Sequence, residues 1–429
     1  LVSPTVWEFK LRAGAKFANG EPVDAHAVKY SIERIVDTKT KSRIISLFRS
    51  VDHVEVVDPL TARIHTKYPD MYLISPLILY GQIVPPKYFQ SHDMKYLATN
   101  PVGSGPYRLV RWKKGEEVVF EANPSHWDPS RPPIKTAVVK IIPEPTTRVA
   151  ALVAEDVDII EAVPPQLTGL VKSNPNLEIV SGKSPRTCYV IMIIKPGAPW
   201  ADVQVRRALN YAVEKDSIIQ HLLQGYARKV ATNVGPDSFG HNPGLKPYPH
   251  DPERARKLLA EAGYAQAFSV DMYVPTGRYL MGKEATEALA GQLAKVGVQA
   301  RVRPVEWASL VKVMTSRWEP HAQPYWWYSC RFDMTLHSEG MYAGSIHSES
   351  LWGGFRDKEV DKAIDEARSE MDEAKREMKY REIDRVLHSE KVPLVFLYME
   401  DQIVGKKTKV DWRMRPDANI LLSEAGWKE

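Results

Sequence analysis

From about residue 187 the chain alternates short apolar runs with capped amphipathic segments, and that alternation restricts the fold more than any other feature. Residues 188–194, 268–273 and 299–304 read as strands. Residues 251–263 and 283–296 read as helices: Asp251 is an N-cap, Pro252 occupies the first position, and Gly263 and Gly297 stand just past the ends. Strand–helix–strand units of this length imply right-handed crossovers in an α/β sheet. Two tandem helices precede them. Asp202 caps the first, whose apolar face is Val205, Ala208, Leu209, Ala212 and Val213. Asp216 is expected to cap the second, which runs to Leu223, with Gly225 as a left-handed stop.

The chain before residue 187 has a different style. Residues 5–12 alternate as a strand, Asp24 caps a helix over 25–35, and 51–67 reads as a hairpin turning at Asp58-Pro59. Gly103-Ser-Gly105 leads through Pro106 into a strand, and 118–122 and 137–142 continue the sheet. A short helix over 146–154 and a strand over 157–161 follow. Near the other end, 357–368 and 373–389 read as long charged helices. Their i, i+4 charge pairs suit a solvated face, with docking on a membrane partner as the alternative. A last strand over 393–404 precedes a tail rich in Pro and Trp.

A chain of 429 residues should divide into two or three lobes rather than build one core. Its 26% charged residues are interleaved in sign and sum to only +5, so no nucleic-acid footprint stands out. No apolar run approaches the roughly 18 residues of a membrane span. No secretory leader is visible and Leu1 opens directly on a strand-like segment, so a processed or trimmed chain is expected. Cys188 and Cys330 make neither a disulfide framework nor a zinc site. They read first as two buried thiols, with one bridge as the alternative.

Chemistry-bearing motifs are few. Gly103-Ser-Gly105 lacks the Gly-Lys-Ser/Thr ending of a phosphate loop and is read as a turn. His337, Glu339 and His347 form the densest acidic–histidine group, but no metal-ligand spacing accompanies them, and a solvated polar loop is expected there. The segment 340–345 does not supply the Gly-x-Ser-x-Gly elbow of a serine hydrolase.

The helix pattern from Asp202 to Ile219 resembles a signature of the family 5 solute-binding proteins that feed peptide and nickel ABC importers. Further matches follow in the family's order. They are Trp7-Glu-Phe-Lys-Leu-Arg12 with 14–25, Asn100-Pro-Val-Gly-Ser-Gly-Pro-Tyr107, Asn123-Pro-Ser-His-Trp127, 251–263 and 292–298. The resemblance implies an α/β fold of the periplasmic-binding-protein class II (cluster C) type, with two lobes around a cleft. Residues 1–186 with 397–429 would form the first lobe, including an extra subdomain at about 20–110, and 187–396 the second. It also implies a first strand and a few dozen residues preceding the Trp7 segment, a monomer outside the cytoplasm (periplasmic, or lipid-anchored), an importer permease as partner, and binding without chemistry or cofactor.

For the ligand site, Tyr325-Trp-Trp-Tyr-Ser-Cys-Arg-Phe-Asp333 matches the stretch where peptide-binding relatives hold the ligand's amino terminus with Asp after an aromatic. Cys330 stands at that Asp position and Arg331 follows, with Asp333 further on. An anionic or aromatic ligand is therefore expected rather than an ammonium. The expected site residues are Trp326, Trp327, Tyr328, Cys330, Arg331 and Asp333, with Met192 on a neighbouring strand, Tyr80 from the first lobe and Tyr398 near the hinge. Competing readings are a di- or oligopeptide receptor, a nickel or haem carrier, and a hydrolase using Asp333 with a histidine.

Overall fold

Two long antiparallel strands, Leu177–Met192 and Leu394–Lys407, are the spine of the molecule. The computed structural model describes residues 1–428 except 267, 332–335 and 351. To one side of the spine the strand Trp326–Arg331 pairs antiparallel with Leu177–Met192, and Phe268–Pro275 and Val298–Val305 continue outward in parallel. Parallel neighbours need a crossover, and the helix Gly282–Ala294 supplies the one between the outer two. To the other side lie Ile159–Ile160 and, off the main path, Ala227–Lys229.

The spine is interrupted at one place. Thr187 pairs with Met399 and Lys183 with Asp401, so Ser184, Pro185 and Arg186 face Glu400 alone. Pro185 has no N–H to give to a ladder, and bulges are where a sheet tolerates proline.

Side-chain alternation divides the apolar residues of the central strands between two cores. Cys188, Val190, Met192, Trp326, Tyr328, Val395, Leu397 and Tyr398 go to one face. Tyr189, Ile191, Ile193, Tyr325, Trp327, Leu394 and Phe396 go to the other. Covering both faces explains the near-continuous apolar runs of these strands. A separate core lies under the helix Ala25–Val36, which packs on the three-stranded sheet of Val6–Lys10, Thr61–Thr66 and Val51–Asp58. A further antiparallel sheet joins Tyr107–Lys113, Glu117–Ala122 and Thr136–Lys140.

The helix Val203–Ala212 starts at its expected cap, with Asp202 accepting from Gln204 N at 2.7 Å. Its Arg206 is buried and donates to the carbonyls of Trp200, Ala201, Lys391 and Val392. Asn210 donates to Leu394 O and accepts from Phe396 N. The helix is thereby pinned to the start of the second spine strand.

Several expectations need correction. The second tandem helix starts at Lys215 after Glu214, not at Asp216, and winds into a π turn over Ile218–Leu222. Asp216 bonds Lys229 at 2.7 Å instead of capping. Residues 338–345 are not a solvated loop but a wholly buried helix, Ser338–Ser345. Its polar groups find tertiary partners: Glu339 accepts from Tyr380 Oη at 3.0 Å, and Ser345 Oγ lies 2.7 Å from Tyr189 Oη. Cys188 and Cys330 are not two free thiols. They stand opposite each other on paired strands and form a disulfide. No helix among the described residues is long and apolar enough to cross a membrane.

Candidate ligand site

A cavity of about 260 Å³ opens where the carboxyl ends of three neighbouring strands meet residues from the first part of the chain. Arg278 and Tyr279 follow the strand Phe268–Pro275, Trp307 follows Val298–Val305, and Trp327, Ser329, Cys330 and Arg331 lie on Trp326–Arg331. The crevice beyond the carboxyl ends of such strands is where open α/β sheets place ligands. Trp352 and the helix Ser338–Ser345 close this wall. The opposite wall is Leu47, Tyr72, Leu79 and Tyr80, and Arg186 enters from the spine bulge.

The walls are aromatic and cationic. Trp307 lies 6.5 Å from Trp327 and 5.6 Å from Trp352, centroid to centroid, and the Arg278 guanidinium sits 3.8 Å over the Trp307 ring. Three guanidinium groups line the cavity and no carboxylate or histidine does, among the described residues. Arg186 reaches back to Glu400 at 3.3 Å. Glu400 is buried, and burial pushes its carboxyl up to about 7 while Arg186 pulls it down. The Arg331 Nη2 is 3.5 Å from Gly340 O, and its buried Nε has no hydrogen-bond partner among the described residues.

The expected site residues separate by face. Trp327, Cys330, Arg331 and Tyr80 line the cavity. Trp326 lies on the other face, packed edge-on against Trp200 at 5.2 Å and Phe268 at 6.4 Å. Met192, Tyr328 and Tyr398 share that core, where the two tyrosine hydroxyls lie 2.7 Å apart. The period of two along a strand sends Trp326 and Tyr328 to the opposite side from Trp327; Cys330 shares their side and meets the cavity only at the strand's carboxyl end. Asp333 lies outside the described residues.

Sequence reasoning missed Arg186, Arg278, Tyr279, Trp307 and Trp352. The short segment that follows each parallel strand is a readable signal, and it would have flagged Arg278, Tyr279 and Trp307. The acidic–histidine group is structural: His337 stacks on Phe239 at 4.8 Å and is pushed down to about 3 by burial, while His347 faces Asp365 at 3.6 Å. Among the described residues Cys188, Cys330 and Glu400 have the spacing of a metal site, but the disulfide removes both thiolates as ligands.

A buried charge cluster joins the two walls beside the cavity. Arg368, fully buried on the helix Lys358–Ser369, donates Nε to Asp70 at 2.7 Å and Nη2 to the same carboxylate. Ser50 also bonds Asp70, Arg368 Nη2 reaches Leu47 O at 3.0 Å, and Met71 N donates to Arg368 O. Glu339 sits 3.7 Å from Arg368 Nη1, and burial raises its carboxyl to about 7. Asp70 is thus the counter-ion that holds Arg368 charged.

The model of the bacterial extracellular solute-binding proteins, family 5, matches residues 3–358. Glutathione-binding protein GsiB of Shigella boydii is 29% identical over 298 residues, 69% of this chain but 57% of that protein. GsiB of Escherichia coli K12 matches equally. The chain therefore spans little more than half the length of these curated relatives. Among solved structures, NikZ of Campylobacter jejuni with Ni(L-His) superposes with a TM-score of 0.86 at 22% identity, covering 99% of this chain and 89% of that one. DppA of Helicobacter pylori with the peptide STSA gives 0.88 at 20%, covering 100% and 88%. AgaA of A. tumefaciens R10 with agropinic acid gives 0.85 at 23%, again covering 100% and 88%. These likenesses show the two-lobe fold. The chain belongs to the bacterial extracellular solute-binding proteins, family 5.

Proposed function

We propose that the protein is an extracytoplasmic receptor that captures a small anionic ligand with a flat or apolar body and hands it to an ABC-importer permease. One observation carries the ligand class: Arg186, Arg278 and Arg331 line a cavity walled by tryptophan and tyrosine, with no carboxylate among the described lining residues. A planar guanidinium pairs with a carboxylate in two-point fashion and also stacks on aromatic faces. A cavity of about 260 Å³ is at the small end for ligand pockets, which fits a small acid.

In this reading residues 1–186 with 397–429 form one lobe and 187–396 the other, and the chain acts as a monomer. The bulge at Ser184–Arg186 supports a hinge at that boundary. Closure buries the ligand, the closed form is what the permease engages, and the ligand leaves unchanged. Trp327, Arg331, Cys330 and Tyr80 are the proposed contacts, joined by Arg186, Arg278 and Trp307.

A second reading, an acidic short peptide, is favoured by the glutathione-binding relatives at 29% identity. Thermal-shift and calorimetric titration with aromatic carboxylates, glutathione and neutral dipeptides separates the two. Binding of acids, lost in Arg331→Ala, supports the first reading. Binding of glutathione but no simple acid favours the second. Binding of neutral dipeptides alone refutes both. Mass spectrometry of the recovered ligand tests for turnover.

A further inference from the structure

We infer that Gly344 is a positioning residue that sets where the Arg331 guanidinium lies, and through it the site's preference for anions. Gly340 and Gly344 stand one turn apart on the buried helix Ser338–Ser345, so they share a face. The Arg331 side chain lies across that face. Its Nη2 is near Gly340 O, and a Cβ added at position 344 would overlap Cζ, Nη2 and Nε of the guanidinium. All three nearest atoms to that Cβ belong to Arg331. Glycine is a poor helix former, and the guanidinium gives a packing reason for it in the last turn of this helix.

The geometry gives this position an unusual signature. The clash falls on the far end of a flexible side chain rather than on backbone, so an alanine is accommodated by moving Arg331. The helix loses nothing, since alanine favours helix more than glycine does. What changes is the position of the whole guanidinium, which Gly344 lets lie against the helix where Arg331 lines the cavity.

The inference rests on reading Arg331 as the anion anchor, and the test keeps the two apart. The probes are phenylacetate and glutathione, titrated into the wild-type chain, Gly344→Ala, Arg331→Ala and the double variant. Gly344→Ala is expected to keep or raise the thermal midpoint while binding the probe about 10- to 100-fold more weakly, the scale of one lost charge-assisted hydrogen bond. Adding Gly344→Ala to Arg331→Ala should change nothing further, because the alanine acts only through Arg331. Equal weakening by Gly344→Ala with and without Arg331 overturns the inference. So does unchanged probe binding in Gly344→Ala when Arg331→Ala abolishes it. Probe binding that is indifferent to Arg331→Ala, or absent in the wild type, refutes the anchor instead. The positioning role is then decided by a crystal structure of Gly344→Ala: a guanidinium displaced by about 1 Å upholds it and one left in place overturns it.

Discussion

Asp70→Asn should uncouple the two walls of the cleft while leaving each folded. In the wild type the Arg368 guanidinium is fully buried and donates two hydrogen bonds to the Asp70 carboxylate. The amide keeps the shape but removes the counter-charge. Breaking a buried ion pair by removing one partner costs about 3–5 kcal/mol, because the surviving charge stays buried. Glu339, 3.7 Å from Nη1, can offset part of that by ionising. Burial has raised its carboxyl to about 7, so at neutral pH the rescue is incomplete, and a net cost of about 3 kcal/mol is a fair scale. In the two-lobe division proposed above, Asp70 and Arg368 part when the lobes open, and each would then be hydrated. The cost therefore falls on closure and not on the folding of either lobe, and affinity should drop by about 100-fold. Calorimetric titration with a ligand that binds the wild type measures the drop, and small-angle scattering with and without ligand measures closure. A double variant, Asp70→Leu with Arg368→Met, should recover much of the loss, since an apolar pair of similar size avoids the unpaired charge. Unchanged affinity and scattering in Asp70→Asn would refute this reasoning.

Other expectations follow from the same packing. Trp326→Ala should cost about 3–5 kcal/mol of stability by denaturant titration yet leave ligand affinity of the folded protein intact, and Trp327→Ala should weaken binding. Loss of binding in Trp326→Ala without loss of stability would contradict the face assignment. Burial raises Glu400 from 4.5 to about 7, so the folded chain holds its proton more tightly. The stability this brings is complete below about pH 4.5 and is lost as pH climbs to about 7. Glu400→Gln should therefore gain on the wild type between about pH 5 and pH 8 in denaturation midpoints, and a pH-independent difference would count against it. Reducing the disulfide between Cys188 and Cys330, which are 142 residues apart, should lower stability by about 2–4 kcal/mol, seen as a shifted midpoint in calorimetry.

Local signals in the sequence located elements well where a cap or turn residue decided the boundary. Asp24, Asp202 and Asp251 each cap the helix that follows. The hairpin over 51–67 and the glycines at 263 and 297, both at positive φ, follow the same logic. The site was legible as a segment but not as a surface. Residues Trp326–Arg331 do form its central strand, yet alternation sends Trp326 and Tyr328 into the far core. Tyr398 and Met192 follow them, because strand pairing carries the same alternation across the sheet. Arg278, Trp307 and Trp352 come from separate places in the chain and meet only through the sheet order. The helix Ser338–Ser345 was misread because its serines, glycines and glutamate look solvated. Their partners, Tyr189 and Tyr380, lie more than a hundred and about forty residues away respectively.

The bulge in the spine also determines which contacts report on ligand capture and which on closure. If the lobes swing about Ser184–Arg186, that point is a fulcrum, and groups near it travel least. Arg186 and Cys330, carried on or beside the spine, then meet the ligand in much the same way before and after closure. Tyr72 and Tyr80 sit on the far arm of the lever and reach it only at the end of the swing. Only contacts that differ between the two states drive the swing. Substitutions near the fulcrum should therefore weaken the first encounter and closure equally. Substitutions at Tyr72 or Tyr80 should leave a receptor that still fills its cleft but fails to shut it.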